Sequence, residues 1–125
     1  MKYLIFLLAL FVLSCNSQAK NCSDFRTGTF KYLDKSLDHI TITRNDSIQV
    51  EYNSKDDITI ITNVEWKSRC RYILTYIDVT NYEYRDEIIG KKIYVKILET
   101  DGETYVSQVS SSTTELKTTM IKIKQ

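Results

Sequence analysis

From residue 26 onward, apolar and polar side chains alternate with a period of two in run after run. In 26–33, Gly28, Phe30 and Tyr32 share one face, and Thr27, Thr29 and Lys31 the other. A half-buried strand requires this spacing. The pattern returns over 40–44, 47–52, 58–67, 70–79, 91–100, 105–110 and 116–124. It places Ile48, Val50 and Tyr52 inward with Gln49 and Glu51 outward. Ile58, Ile60, Val64 and Trp66 share a face, as do Ile93, Val95 and Ile97. At the end of the chain it places Ile121 and Ile123 inward and Lys122 and Lys124 outward. The run 70–79 is apolar on both sides, with Cys70, Tyr72, Leu74 and Tyr76 against Ile73, Ile77 and Val79, which suits a strand covered on both faces.

Turn residues separate the runs. Asn45-Asp46 reads as a tight hairpin turn, because both residues tolerate positive φ, and Asp101-Gly102 is the clearest hairpin signal in the chain. Ser68-Arg69 marks a turn or bulge, and 110–114 a polar loop. The one long connection is 80–90, where Asp86-Glu87-Ile88-Ile89 before Gly90 predicts a single helical turn. The expectation is an all-β domain, an antiparallel meander of about eight strands. At this length a meander hides its edges by closing into a small lipocalin-like barrel or, alternatively, by folding into a two-sheet β-sandwich. Gly28-Thr29-Phe30 resembles the Gly-x-Trp start of lipocalins, with Phe in place of Trp.

The amino terminus breaks the pattern. Lys2 is followed by an uncharged apolar run from Tyr3 to Leu13, the length of a signal-peptide helix and too short to span a bilayer. Val12-Leu13-Ser14-Cys15 resembles a bacterial lipobox. The resemblance implies cleavage after Ser14, diacylglycerol on the Cys15 sulfur and an acylated new amino terminus; the alternative is an ordinary secretory signal cut nearby. The expected layout is a lipoprotein signal peptide at 1–14, a lipidated Cys15 with a tether through 21, and one β-domain over 22–125. The partner this implies is a membrane, met through the lipid. The tether Asn16-Ser17-Gln18-Ala19-Lys20 lacks the acidic residues that often follow the lipidated cysteine of surface-bound Bacteroidetes lipoproteins. That favours the outer membrane with the domain facing the periplasm.

Composition adds exclusions. Removing the signal leaves roughly 110 residues, enough for a single core. The full chain has 17 Lys and Arg against 16 Asp and Glu, so loss of Lys2 makes the mature chain formally neutral. A nucleic-acid partner is not expected, since such binding usually needs a clustered basic surplus. Pro is absent, Gly occurs three times and Tyr nine, a strand-favouring usage.

With Cys15 lipidated, Cys22 and Cys70 remain as an even pair in an oxidising compartment. They read as a structural disulfide, with two buried thiols or a redox pair as the alternatives. Metal is not expected, because no Cys/His spacing suits it and His39, the only histidine, sits in a polar loop beside Asp38. Neither a catalytic dyad, a Gly-x-Ser-x-Gly frame nor a phosphate-cradling loop is present, so neither an enzyme nor a cofactor is expected. Asp46-Ser47-Ile48 resembles the motif O-glycosylated in exported Bacteroidetes proteins, which marks Ser47; a hairpin turn explains the same residues. Phe30, Tyr32, Trp66, Tyr72 and Tyr76 are the aromatics that would either line a ligand cavity or fill the core.

From Cys22 on, the order of landmarks resembles a family of small flavobacterial and Bacteroidetes lipoproteins. The landmarks are Arg26-Thr27-Gly28-Thr29-Phe30, then Arg44-Asn45-Asp46-Ser47-Ile48-Gln49-Val50-Glu51, then Trp66 with Cys70-Arg71-Tyr72-Ile73-Leu74, Gly90 and Tyr105. Some members carry the name DNA topoisomerase IV, an activity that needs an ATPase domain, a metal-supported cleavage tyrosine and hundreds more residues. The functional expectation is a lipid-anchored, non-enzymatic binding module for an apolar small molecule or a protein partner. The alternative is a structural or inhibitory envelope protein acting through its surface.

Overall fold

The structure is a computed structural model and describes residues 20–125. The expected signal peptide, 1–14, and the expected lipidation site, Cys15, lie outside the described residues. Eight antiparallel strands follow one another around a closed barrel, each pairing with its sequence neighbours, and the last with the first. They are β1 (Gly28–Tyr32), β2 (Ile40–Arg44), β3 (Ile48–Asn53), β4 (Ile58–Ser68), β5 (Arg71–Val79), β6 (Lys92–Asp101), β7 (Thr104–Ser110) and β8 (Glu115–Lys124). Closure removes both sheet edges, which an eight-stranded meander of this length otherwise exposes. The arrangement is the barrel and not the sandwich.

The two ends of the barrel differ. At one end a 3-10 turn, Cys22–Phe25, is tucked inward, with Cys22 and Phe25 almost wholly buried. Three anchors hold this plug. Cys22 is disulfide-bonded to Cys70 in the turn between β4 and β5. The Nζ of Lys122 donates to the Asp24 carbonyl at 2.6 Å. The backbone N–H of Asn21 donates to Thr100 Oγ1 at 2.8 Å. The opposite end is the mouth, carrying the connection 33–39 with its 3-10 turn Lys35–Leu37, the loop 54–57, and the segment 80–91 with helix α1 (Arg85–Ile88). Gly90, at φ +86°, ends that helical turn, as expected of a glycine there.

Local geometry departs from expectation at the β2–β3 hairpin. Among the described residues only Asp57 and Asn81 are non-glycine residues with positive φ, so Asn45 and Asp46 do not form the primed turn. Instead the loop is three residues long and Asn45 closes it with its side chain. Asn45 Oδ1 accepts from the backbone N–H groups of Ser47 at 3.0 Å and Ile48 at 2.8 Å.

Two strands also present the face opposite to the one their apolar residues suggest. In β3, Gln49 is buried and Glu51 points inward, while Tyr52 is exposed. In β8, Lys122 is buried and Ile123 is exposed. Register explains both. Pairing puts Gln49 and Glu51 opposite the inward Arg44 and Ile42, and Lys122 opposite Phe30. Across an antiparallel pair, directly opposed residues share a face. In β5 a bulge between Tyr76 and Asp78 brings Val79 onto the inner face beside Tyr76.

Gly28 shows how tightly the plugged end is built. Its φ is +137°, and a Cβ there would lie 2.5 Å from the Lys124 carbonyl oxygen and 2.7 Å from Lys122 Cε. The carbonyl belongs to the β8 backbone and cannot move aside alone. Gly28→Ala is expected to lower stability by about 2 kcal/mol or more. A urea midpoint equal to that of the parent protein would contradict this.

Candidate functional site

The interior of the barrel is not filled. A cavity of about 230 Å³ lies inside it, walled by Ile42, Ile60, Leu74, Ile93, Val95, Val109 and Met120 and carrying a set of polar groups. A second cavity of about 280 Å³ at the mouth shares Glu51, Ile60 and Tyr76 with the first and is covered in part by Tyr82 and Ile88 of the 80–91 segment. The shared residues form a neck between an inner chamber and an outer one.

Arg44 forms the floor of the inner chamber. The alternation of β2 places it on the same face as Ile40 and Ile42. It is 3% exposed. Its Nε donates to Gln49 Oε1 at 2.8 Å, one Nη to the Phe25 carbonyl at 2.7 Å, and the other Nη to the hydroxyls of Tyr72 at 3.0 Å and Tyr105 at 3.1 Å. The guanidinium also stacks on the rings of Phe30 and Tyr72 at 4.7 and 4.8 Å from their centroids. Every one of these partners is neutral. None of the ion pairs among the described residues includes Arg44. Arginine keeps its proton even when buried. A buried charge is ordinarily paired with an opposite one, since removing it from water costs several kcal/mol. The floor of the cavity is therefore cationic and held by dipoles and aromatic faces alone.

Glu51 lies at the neck. It accepts a hydrogen bond from the Tyr32 hydroxyl at 3.3 Å, and among the described residues no ion pair includes it. Burial raises its pKa, and the Tyr32 hydrogen bond offsets only part of that rise. Burial and then the Glu51 charge raise the Tyr32 phenol far above its ordinary value, and burial followed by Glu51 does the same, less strongly, for Tyr76. Burial also raises Tyr72, with the Arg44 charge working against it. These phenols stay protonated at neutral pH and serve as hydrogen-bond groups.

Because the Glu51 pKa is higher in the folded than in the unfolded chain, folding favours its protonated form. Its contribution is best below the ordinary carboxylate value and is lost as pH rises through the raised one. Glu51→Gln, which keeps the shape and removes the charge, is thus expected to raise the thermal midpoint at pH 7 and to flatten the slope of stability across that window. A lower midpoint at pH 7 would contradict this placement of the carboxylate.

Of the aromatics marked in the sequence, Tyr32, Tyr72 and Tyr76 line the inner chamber. Phe30 is fully buried behind the Arg44 guanidinium and packs edge-on against Tyr105. Trp66 lies beyond the chamber, toward the plugged end, 4.5 Å from the Tyr72 ring and capped by the Arg26 guanidinium at 4.9 Å. Arg44, Gln49, Glu51 and Tyr105 were not marked, although the parity of β2 already groups Arg44 with two isoleucines. Ser47 is exposed in the β2–β3 loop at the plugged end. The carbonyl of His39 accepts from the backbone N–H of Ser54 at 2.9 Å, tying two mouth loops together. Among the described residues no cluster of three or more His, Cys, Asp or Glu is placed to hold a metal ion. Comparison with family models, curated proteins and solved structures finds no match to this chain.

Proposed function

We propose that this protein is a lipid-anchored, non-enzymatic binding module of the bacterial envelope that takes a small molecule into the barrel through its mouth. One observation carries the reading: an unfilled interior whose floor is a buried arginine without a counter-charge. A barrel built only for shape would fill its eight-stranded interior with side chains. The walls mix aliphatic side chains with Thr62, Ser107 and Thr118, and the two ends of the chamber are polar, so the fitting ligand is a small amphipathic molecule rather than a purely apolar one. A role exerted only through the outer surface gives no reason to keep Arg44 and Glu51 inside.

The lipid anchor and the mouth belong to opposite ends. Lys20 is held at the plugged end, where its carbonyl accepts from Arg69 at 2.6 Å. From Cys15 to Lys20 the chain reaches no more than about 18 Å when fully extended. An acylated Cys15 therefore keeps the plugged end toward the bilayer and the mouth toward the periplasm. The ligand exchanges with the aqueous space or with a soluble donor, not with the anchoring leaflet.

Native mass spectrometry of the mature protein after gentle purification tests the reading. The expected result is a small molecule retained one to one and lost when Val109→Trp fills the chamber. A protein that carries nothing, or an adduct that survives the filling substitution, would overturn interior binding.

A further inference from the structure

We infer that the inner chamber binds a small zwitterion, an amino carboxylate with an apolar side chain, its carboxylate on the Tyr72 and Tyr105 hydroxyls over Arg44 and its ammonium on Glu51. This rests on the reading of the interior as a binding site and adds the chemistry of what it takes.

The carboxylate end follows from donors left over at the floor. The guanidinium has five N–H donors, and four are taken by Gln49, Phe25, Tyr72 and Tyr105. Tyr72 and Tyr105 accept from Arg44, so each still has its own O–H to give. Both accept from the same Nη, and at most one of their two protons can be spent on the other hydroxyl. At least one O–H donor, polarised by the cation behind it, remains for an acceptor in the chamber. Both tyrosines line the chamber. An anionic oxygen placed there makes charge-assisted hydrogen bonds and supplies the missing counter-charge.

The ammonium end follows from Glu51. Its carboxylate faces the same chamber, and a single phenol is its side-chain partner. The register sets its distance from the floor. Arg44 stands opposite Gln49, and Glu51 is the next inward residue of β3. Diagonal neighbours across an antiparallel pair lie roughly 7–8 Å apart. That spacing is within reach of long side chains, yet the two form no ion pair, because the guanidinium is turned to Gln49, Phe25, Tyr72 and Tyr105 and the carboxylate to Tyr32. Two unpaired opposite charges facing one chamber suit a ligand whose own two charges are a few ångströms apart. A plain carboxylic acid would satisfy the floor but would leave Glu51 buried beside it without a cation, with like charges along the entry path. A plain amine would satisfy Glu51 and face the Arg44 charge. Only a molecule with both poles relieves both. Ile42, Leu74, Val95 and Met120 give its side chain an aliphatic wall.

The structural alternative is that both groups are merely part of a polar interior. Matched probes separate the two. Purified, ligand-stripped domain is titrated with the apolar amino acids from alanine to phenylalanine, each beside its des-amino acid and its decarboxylated amine. Trp66, the only tryptophan and in contact with Tyr72, reports occupancy by fluorescence, and native mass spectrometry confirms stoichiometry. At least one amino acid is expected to bind ten-fold or more tightly than both of its one-pole analogues, the effect of one charged hydrogen bond. Glu51→Gln should abolish the preference over the des-amino acid while leaving binding of that acid intact or stronger. Tyr105→Phe should weaken amino acid and des-amino acid alike and spare the amine. If the des-amino acid binds as well as its parent, or if the preference survives Glu51→Gln, the ammonium site is wrong. If no amino acid binds, the zwitterion is wrong. A small molecule still retained by the purified domain and expelled by Val109→Trp would then leave interior binding standing.

Discussion

Replacing Cys22 and Cys70 together by serine lowers the stability of the domain by about 4 kcal/mol, the loop-closure entropy of a bridge over its sequence separation of 48 residues. For a domain of about a hundred residues this is a fall of about 15–30 °C in thermal midpoint. The loss extends beyond the unfolded chain. The bridge pins the plug, and the plug supplies the Phe25 carbonyl to Arg44 and the Asp24 carbonyl to Lys122. Without the bridge, two buried cations depend on a short segment held mainly by the Phe25 ring, which packs 4.9 Å from Tyr105. Reduction of the parent protein should reproduce the double substitution. A shift of less than about 1 kcal/mol in both would mean that the plug is held without its covalent tie and that the entropic account of the bridge fails here.

Arg44→Ala carries the second large effect. Removing the side chain empties the floor and strands the Gln49 carbonyl, the Phe25 carbonyl and two tyrosine hydroxyls inside the barrel. Each buried acceptor or hydroxyl left unsatisfied costs about 1–3 kcal/mol, so the loss of four partners at once outweighs the relief of removing an unpaired charge. Arg44→Met separates packing from charge. Methionine refills much of the volume and brings no buried charge, so it should recover part of the stability lost in Arg44→Ala. It should not recover ligand retention. Urea melts of the two variants beside the parent give the comparison. Equal destabilisation by Ala and Met would locate the effect in the hydrogen bonds alone, and retention of the ligand by Arg44→Met would remove the arginine from the binding floor.

The barrel was legible in the sequence for a simple reason. Most strands have one face dominated by Ile, Val, Leu or aromatics, and period-two alternation reports that directly. Turn chemistry added the order, although the β6–β7 turn is Gly102-Glu103, one residue past the expected Asp101-Gly102, since Asp101 still pairs with Thr104; Gly90 ends α1 as expected. The site was hidden because the interior is polar where function would need it. In β3 the rule that apolar residues face inward assigns the wrong side, since Val50 and Tyr52 look like core and Gln49 and Glu51 like surface. Pairing would have corrected this. Even a two-residue turn at Asn45-Asp46 sets Gln49 opposite Ile42 and Glu51 opposite Ile40, on their face. Arg44 then follows Ile40 and Ile42 inward by the same parity. In β8 the equivalent constraint runs through Tyr105, which opposes Met120 and so turns Lys122 inward and Ile121 outward. Hydrophobic alternation read strand by strand finds the elements. Alternation read across paired strands finds the residues that break it.

A crystal structure of the domain purified without denaturation tests most directly whether the interior is a binding site organised on Arg44. Density is expected for a non-water molecule in the inner chamber, with one end within hydrogen-bond distance of the Tyr72 and Tyr105 hydroxyls and the other reaching toward Glu51. A chamber closed by repacked side chains, or a carboxylate of the protein itself seated on Arg44, would contradict it.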